Sequence, residues 1–215
     1  MNRLFALAFA FVATAALLSG CASAPSPAEL DAQALAMIRA SFHAEGIASL
    51  DRLTQDATQQ ACSGALPPPA DVAERLQAQA LTTIRWPEGG QYFGDWREGE
   101  KLAQNGRGMT WTDKSAAPDA NGGNCYNCHQ ITKAEISYGT IGPSLYQYGK
   151  NRGVTDANSP TAKPIIEYTW TKMWNAKAYN ACSGMPRFGH GGLLDERQLK
   201  DLMALILDPK SPVNQ

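Results

Sequence analysis

The sequence predicts an all-α fold, and three observations predict it. Apolar residues recur at helical spacing over 29–42, 71–84 and 195–207. Helix starts and stops bracket these stretches: Asp71 and Asp95 as candidate caps, Trp86-Pro87 and Asp208-Pro209 as ends. Helical stretches also flank Cys125-Tyr-Asn-Cys128-His129, the most informative segment of the chain.

The first predicted helix runs from Glu29 to Phe42, with Leu30, Ala34, Met37, Ile38 and Phe42 at helical spacing. His43 falls on its polar side, where it is expected to be solvated. A second covers Ile47 to Gln60, before Cys62-Ser-Gly, and Leu66-Pro-Pro-Pro-Ala70 follows as a rigid connector. Asp71 caps a third, with Val72, Leu76, Ala80 and Ile84 on one face. Asp95 and Glu98 read as a variant capping box opening a helix to about Gln104. Gly99 inside it is unfavourable by about 1 kcal/mol relative to Ala, which implies close approach of another helix. The expected partner is Asp195 to Leu207, where Leu199, Leu202, Met203 and Ile206 form one stripe. Met203 therefore reads as core, and a further helix is expected over Ile165 to Ala178.

Two thiols three positions apart can each add to a vinyl group of one haem, and the adjacent imidazole then serves as fifth iron ligand. Cys125, Cys128 and His129 are accordingly a c-type haem attachment site. Two other readings compete. A zinc half-site needs a second ligand pair of similar spacing, and no other such cysteine pair exists. A thioredoxin-like Cys-x-x-Cys sits in a βαβ context, which the flanks do not suggest. Terminal helices crossing over a haem give the class I-type cytochrome c arrangement, preceded here by a helical N-terminal extension.

The leader sets the compartment. Met1-Asn-Arg3 is a short positive start, and Leu4 to Leu18 is an uncharged apolar run too short for a bilayer-spanning helix. Residues 1–21 read as a signal peptide with Leu18-Ser19-Gly20-Cys21 as a lipobox, making Cys21 the acylated mature N-terminus. Ordinary cleavage after Ala24 is the alternative, disfavoured by Pro25 beyond the scissile bond. Either route leads out of the cytoplasm to the periplasm, with a lipid tether in the first case. Residues 22–90 are then tether and helical extension, and 91–215 the cytochrome c domain.

Of five cysteines, Cys62 and Cys182 remain, an even pair in an oxidising compartment, so a disulfide is expected over free thiols. It would close a loop of about 120 residues, worth about 4–5 kcal/mol in the chain-entropy model. A net charge of −1 and no basic cluster exclude nucleic acid as an expected partner. No Ser–His–Asp set, phosphate-cradling glycine loop or paired-carboxylate motif is present, so no catalytic residue is assigned.

Met185-Pro186 lies 56 residues beyond His129, and a soft thioether there would complete His/Met ligation suited to electron transfer. Competing readings make His190 the ligand or leave the iron open. Cys182 precedes Met185 by three residues, so a bridge to Cys62 would steady the ligand loop. In Ile141-Gly-Pro-Ser-Leu145, the Pro143 carbonyl is placed to accept Nδ1–H of His129; the bland reading is a simple turn. Tyr138, Tyr146 and Trp170 are expected in the pocket wall or core.

Gly106-Arg-Gly-Met, Gly122 to His129, Ile141 to Tyr146, Asn175 to Gly189 and the tail Leu207 to Asn214 together resemble SoxX. That family is the monohaem cytochrome subunit of the SoxAX complex of bacterial thiosulfate oxidation. The Met-loop and tail make the resemblance specific, and it reaches into the extension through Gln59-Gln-Ala-Cys-Ser63. It implies one covalent haem c on Cys125 and Cys128, ligated by His129 and Met185. It also implies a SoxA-type catalytic partner, a SoxYZ carrier of the substrate cysteine and a downstream cytochrome. The chain would be the electron-accepting subunit of an L-cysteine S-thiosulfotransferase. A loop from Thr110 to Gly123 is longer than in shorter relatives, and family members are commonly free in the periplasm. Two alternatives stand beside this: a stand-alone electron carrier for another oxidoreductase, and a haem sensor or enzyme with an open sixth position.

Overall fold

The computed structural model describes residues 24–215, so Cys21 and the leader lie outside the described residues. The chain divides into two compact units at His43/Ala44. Among the described residues there is no strand, only an isolated bridge between Glu45 and Ala48.

In the first unit, helix α1 spans Pro27–Ser41. Ser26 and Glu29 form a reciprocal capping box and Pro27 occupies the first turn, which fixes the start more sharply than the apolar pattern alone. None of its residues is buried, and the exposed His43 lies just past its end.

The second unit contains the rest, including 44–90. The helix expected over 47–60 is instead a 3-10 turn, Leu50–Leu53, followed by helix α2, Ala57–Cys62. Asp56 and Gln59 make a capping box at α2, so the chain restarts at Asp56 and does not run through it. Helix α3 covers Ala70–Leu81 with Pro69 at the cap position, leaving Asp71 in the first turn as a charge favourable to the helix dipole.

Helix α4, Trp96–Gln104, starts as expected at Asp95, but the cap differs. Asp95 accepts from the Arg97 N–H, while Glu98 pairs with Lys101. Helix α5 is a single turn, Tyr148–Asn151. Helix α6 covers Lys163–Trp174, and a separate 3-10 turn, Ala176–Ala178, takes the place of its expected last turn. Helix α7, Glu196–Leu207, is capped by Asp195 with Gln198 in a capping box.

The α4–α7 crossing organises the unit. A Cβ on Gly99 would lie 3.0 Å from Leu205 Cβ and overlap the Asp201 carbonyl, so only glycine permits this approach. Leu199, Leu202, Met203, Leu205 and Leu207 are fully buried, each stabilising the fold by about 1.5–3 kcal/mol. Met203 is thus core, as its stripe predicts.

The segment before α4 docks through indole hydrogen bonds. Trp170 Nε1 donates to the Arg85 carbonyl at 2.8 Å and Trp174 Nε1 to the Thr83 carbonyl at 2.9 Å. Tyr92 packs edge-on to Trp170, with ring centroids 5.7 Å apart. A buried indole N–H needs an acceptor, and these carbonyls supply it. The chain end is latched by Asn214, whose Nδ2 donates to the carbonyls of Ile206 and Asp208 at 3.1 and 2.9 Å. Its Oδ1 accepts from the backbone N–H groups of Gly149 and Lys150.

Candidate functional site

The Cys-x-x-Cys-His segment folds as a 3-10 turn, Cys125–Asn127, entered through Asn124 in the left-handed region at φ 51°. Asparagine tolerates that conformation better than most residues, because its short side chain hydrogen-bonds locally. The turn closes with the N–H groups of Cys128 and His129 donating to the Cys125 carbonyl at 3.1 and 2.9 Å. Gly123 N–H donates to the Leu102 carbonyl at 2.8 Å, tying the motif to the end of α4.

Cys125 and Cys128 are both half-buried free thiols. Burial, with Cys128 beside it, pushes the Cys125 thiol up to about 12. A redox-active Cys-x-x-Cys favours the opposite, a thiol lowered toward neutrality.

His129 is positioned from its far side. Its Nδ1 lies 2.6 Å from the Pro143 carbonyl oxygen. A carbonyl only accepts, so Nδ1 carries the hydrogen and Nε2 keeps its lone pair for iron. Gly142 packs against the ring: a Cβ there would sit 2.5 Å from Nδ1 and overlap Cε1. Gly142 N–H donates to the Cys128 carbonyl at 2.8 Å, and Leu145 N–H to the Gln130 carbonyl at 2.7 Å, pinning the 141–145 segment alongside the motif.

Beneath the motif, the Tyr126 hydroxyl donates to Glu100 Oε1 at 2.9 Å and lies 3.1 Å from Thr132 Oγ1. Burial raises this phenol to about 12, with Thr132 opposing and Glu100 adding to the rise, so it remains a donor at every physiological pH. Nothing in the motif's spacing announces this network; Tyr126 being the variable x of Cys-x-x-Cys, its role had no sequence signal.

Met185 lies on a loop of successive turns. Asn180 Oδ1 accepts from the Cys182 N–H at 3.1 Å, and Ser183 Oγ from the Met185 N–H at 3.3 Å. Met185 and Cys125 are both partly buried and pack against the same hydrophobic cluster. Cys182 is joined to Cys62 at the end of α2, with Cα atoms 5.4 Å apart. Arg187 meets Asp56 at 2.8 Å, a second link between the same two segments.

His190 is placed elsewhere. It lines a cleft of about 520 Å³ with Arg85, Trp174 and Gly189, which none of Cys125, Cys128, His129 or Met185 lines. Burial and then Arg187 hold its imidazole below the usual value. Trp170 is fully buried, Tyr146 half-buried under Lys133, and Tyr138 is exposed. The 110–123 loop docks on α7, with Gln198 Nε2 donating to the Pro118 carbonyl and Asn121 Nδ2 to the Leu193 carbonyl, both at 2.9 Å.

The donor set therefore fits a covalent haem: two free thiols, a tautomer-fixed imidazole with an available Nε2, and a glycine shaped to its ring. Residues 98–209 match the cytochrome c family. The chain belongs to that family. This cytochrome is also 36% identical over 168 residues to a protein of Aquifex aeolicus (strain VF5) described as "Uncharacterized lipoprotein", covering 75% of this chain and 73% of that one. Membership implies covalently bound haem c and electron transfer as the chemistry of the site. In this cytochrome the protein's own part is to orient His129, fix its proton on Nδ1 and surround the thiols with apolar core. No helix among the described residues is long and apolar enough to cross a membrane.

Proposed function

We propose that this cytochrome is the electron-accepting subunit of a SoxAX-type L-cysteine S-thiosulfotransferase, exported and held at a membrane by lipid on Cys21. The observation that supports the electron-transfer chemistry is the His129–Pro143 contact of 2.6 Å, which leaves the Nε2 lone pair available to iron. One haem c is held through Cys125 and Cys128, with His129 and Met185 as axial ligands. Thioether ligation favours ferrous iron and raises the potential, as an electron acceptor requires. The SoxAX assignment is supported by the Met-loop and tail motifs of the sequence. The lipid anchor is supported by the lipobox and by the relative's description as a lipoprotein.

In that role the coupling of thiosulfate to a carrier cysteine forms a sulfur–sulfur bond and releases two electrons and the thiol proton. A SoxA-type partner performs the coupling on the SoxYZ carrier. This subunit's single haem takes one electron at a time and passes each to a downstream cytochrome.

The test is a pull-down from cells grown on thiosulfate, with spectra of the purified chain. Expected results are co-elution of a larger haem protein, a weak red ferric band from Met–iron bonding, and no thiosulfate turnover by the chain alone. Substantial turnover in isolation would overturn the subunit role. Ready carbon monoxide binding by the ferrous form would overturn the closed sixth position.

A further inference from the structure

Helix α1 buries none of its residues, although Leu30, Leu35, Met37 and Phe42 are each more than half exposed. At 3.6 residues per turn, Leu30, Ala34, Met37 and Ile38 fall on one side with Gln33 at its edge, while Glu29, Leu35, Ala36 and Arg39 fall on the other half. Asp31 is the one charged residue on the apolar side, in the first turn where a carboxylate suits the helix dipole. A fifteen-residue helix that buries none of its residues is marginal in water, and an exposed apolar stripe marks a contact surface.

The length of chain before the helix identifies what covers the stripe. Between Cys21 and Pro27 stand five residues, Ala22 to Ser26. Fully extended they reach about 18 Å, less than the helix's own length of about 22 Å. With acyl chains of Cys21 seated in a bilayer, the stripe is confined to the headgroup zone at an effective concentration no diffusing protein matches.

We propose that helix α1 lies in the membrane interface with Leu30, Ala34, Met37 and Ile38 toward the acyl chains. The working tether of the cytochrome then begins after Phe42, not after Cys21. Glu29, Asp31 and Arg39 give the helix one net negative charge, so anionic lipid does not attract it. Apolar contact and the lipid tether hold it, and added salt has no effect on the contact. This rests on the lipidation of Cys21 proposed above.

The test uses the full, haem-loaded chain in phosphatidylcholine vesicles carrying bromine on their acyl chains. Ala34→Cys and Ala36→Cys variants, on opposite faces, each receive an environment-sensitive fluorophore. The remaining cysteines are occupied by lipid, by haem and by the Cys62–Cys182 bridge. The expected result is several-fold stronger bromine quenching at position 34 than at 36, equal at low and high salt. Equal, weak quenching at both positions on vesicle-bound protein would overturn the proposal. So would shielding of position 34 from aqueous quencher without bromine quenching, which would mean a protein surface covers the stripe. Mass analysis of the N-terminal peptide separates the two readings. A peptide without lipid removes the anchor and the proposal with it, whereas a lipidated peptide with equal quenching removes only the helix placement.

Discussion

The Pro143 carbonyl oxygen lies 2.6 Å from Nδ1 of His129, while Gly142 beside it leaves no room for a side chain against the ring. The two contacts do different work. The hydrogen bond chooses the tautomer, and the glycine sets the ring's position under it. Gly142→Ala should therefore displace the imidazole without removing either thiol. We expect haem still covalently attached, with axial ligation weakened and carbon monoxide binding to the ferrous form increased. A variant with unaltered absorbance and no carbon monoxide uptake would show that the ring tolerates the shift.

Much of this site was legible in the sequence because it is local. The two thiols, the imidazole and the Gly-Pro turn lie within 19 residues, and spacing alone implies their chemistry. Gly99 was legible for a different reason: glycine in a helix interior is costly unless another backbone needs the space, and Asp201 and Leu205 fill it. What was not legible is non-local. Trp170 and Trp174 bond to carbonyls 85 and 91 residues earlier, which no periodicity records, and so residues 44–90 join the second unit. The break at Asp56 was hidden because apolar spacing continues across it, although Asp56 with Gln59 three residues on was a readable cap.

Asp201 offers a pH signature. Its side chain is nearly buried, yet Oδ1 accepts from the Asp95 N–H at 2.8 Å and Oδ2 meets Arg197 at 3.2 Å. Burial raises its pKa above 3.8, with these two contacts opposing. A folded-state value above the unfolded one means the folded chain holds the proton longer, so stability falls as pH rises from 3.8 through the raised value. Asp201→Asn keeps an acceptor for Asp95 and cannot ionise. Relative to this variant, the wild type should lose stability across that window and show a constant difference above it. Urea titrations from pH 3 to pH 8 would measure this; a constant difference at all pH values would contradict it.

Asn214 joins α7 to α5 through four hydrogen bonds from one buried amide. Asn214→Ala strands two N–H donors and removes both donations, each orphaned buried group being unfavourable by about 1–3 kcal/mol. Asn214→Asp keeps the acceptor but sets a carboxylate against the carbonyls of Ile206 and Asp208. Both variants should lower the denaturant midpoint by an amount equivalent to at least about 2 kcal/mol, with an unchanged slope. A loss near zero would mean that water replaces the side chain at no cost.

The Cys62–Cys182 bridge closes 120 residues, and the chain-entropy model sets its contribution at about 4–5 kcal/mol. The parallel Arg187–Asp56 contact at 2.8 Å is partly exposed, and such pairs contribute about 1 kcal/mol or less. The covalent link therefore dominates what holds α2 to the Met185 loop. Removing it in Cys62→Ser with Cys182→Ser should lower stability by up to about 4–5 kcal/mol in denaturant titrations. The bridge ends three residues before Met185, so the same variant should also weaken the red ferric band and lower the midpoint potential, because a freer loop holds the thioether less firmly. A stability loss with both spectroscopic readouts unmoved would confine the bridge to the unfolded chain's entropy. In that case the turns around Asn180 and Ser183 would be sufficient to hold the methionine.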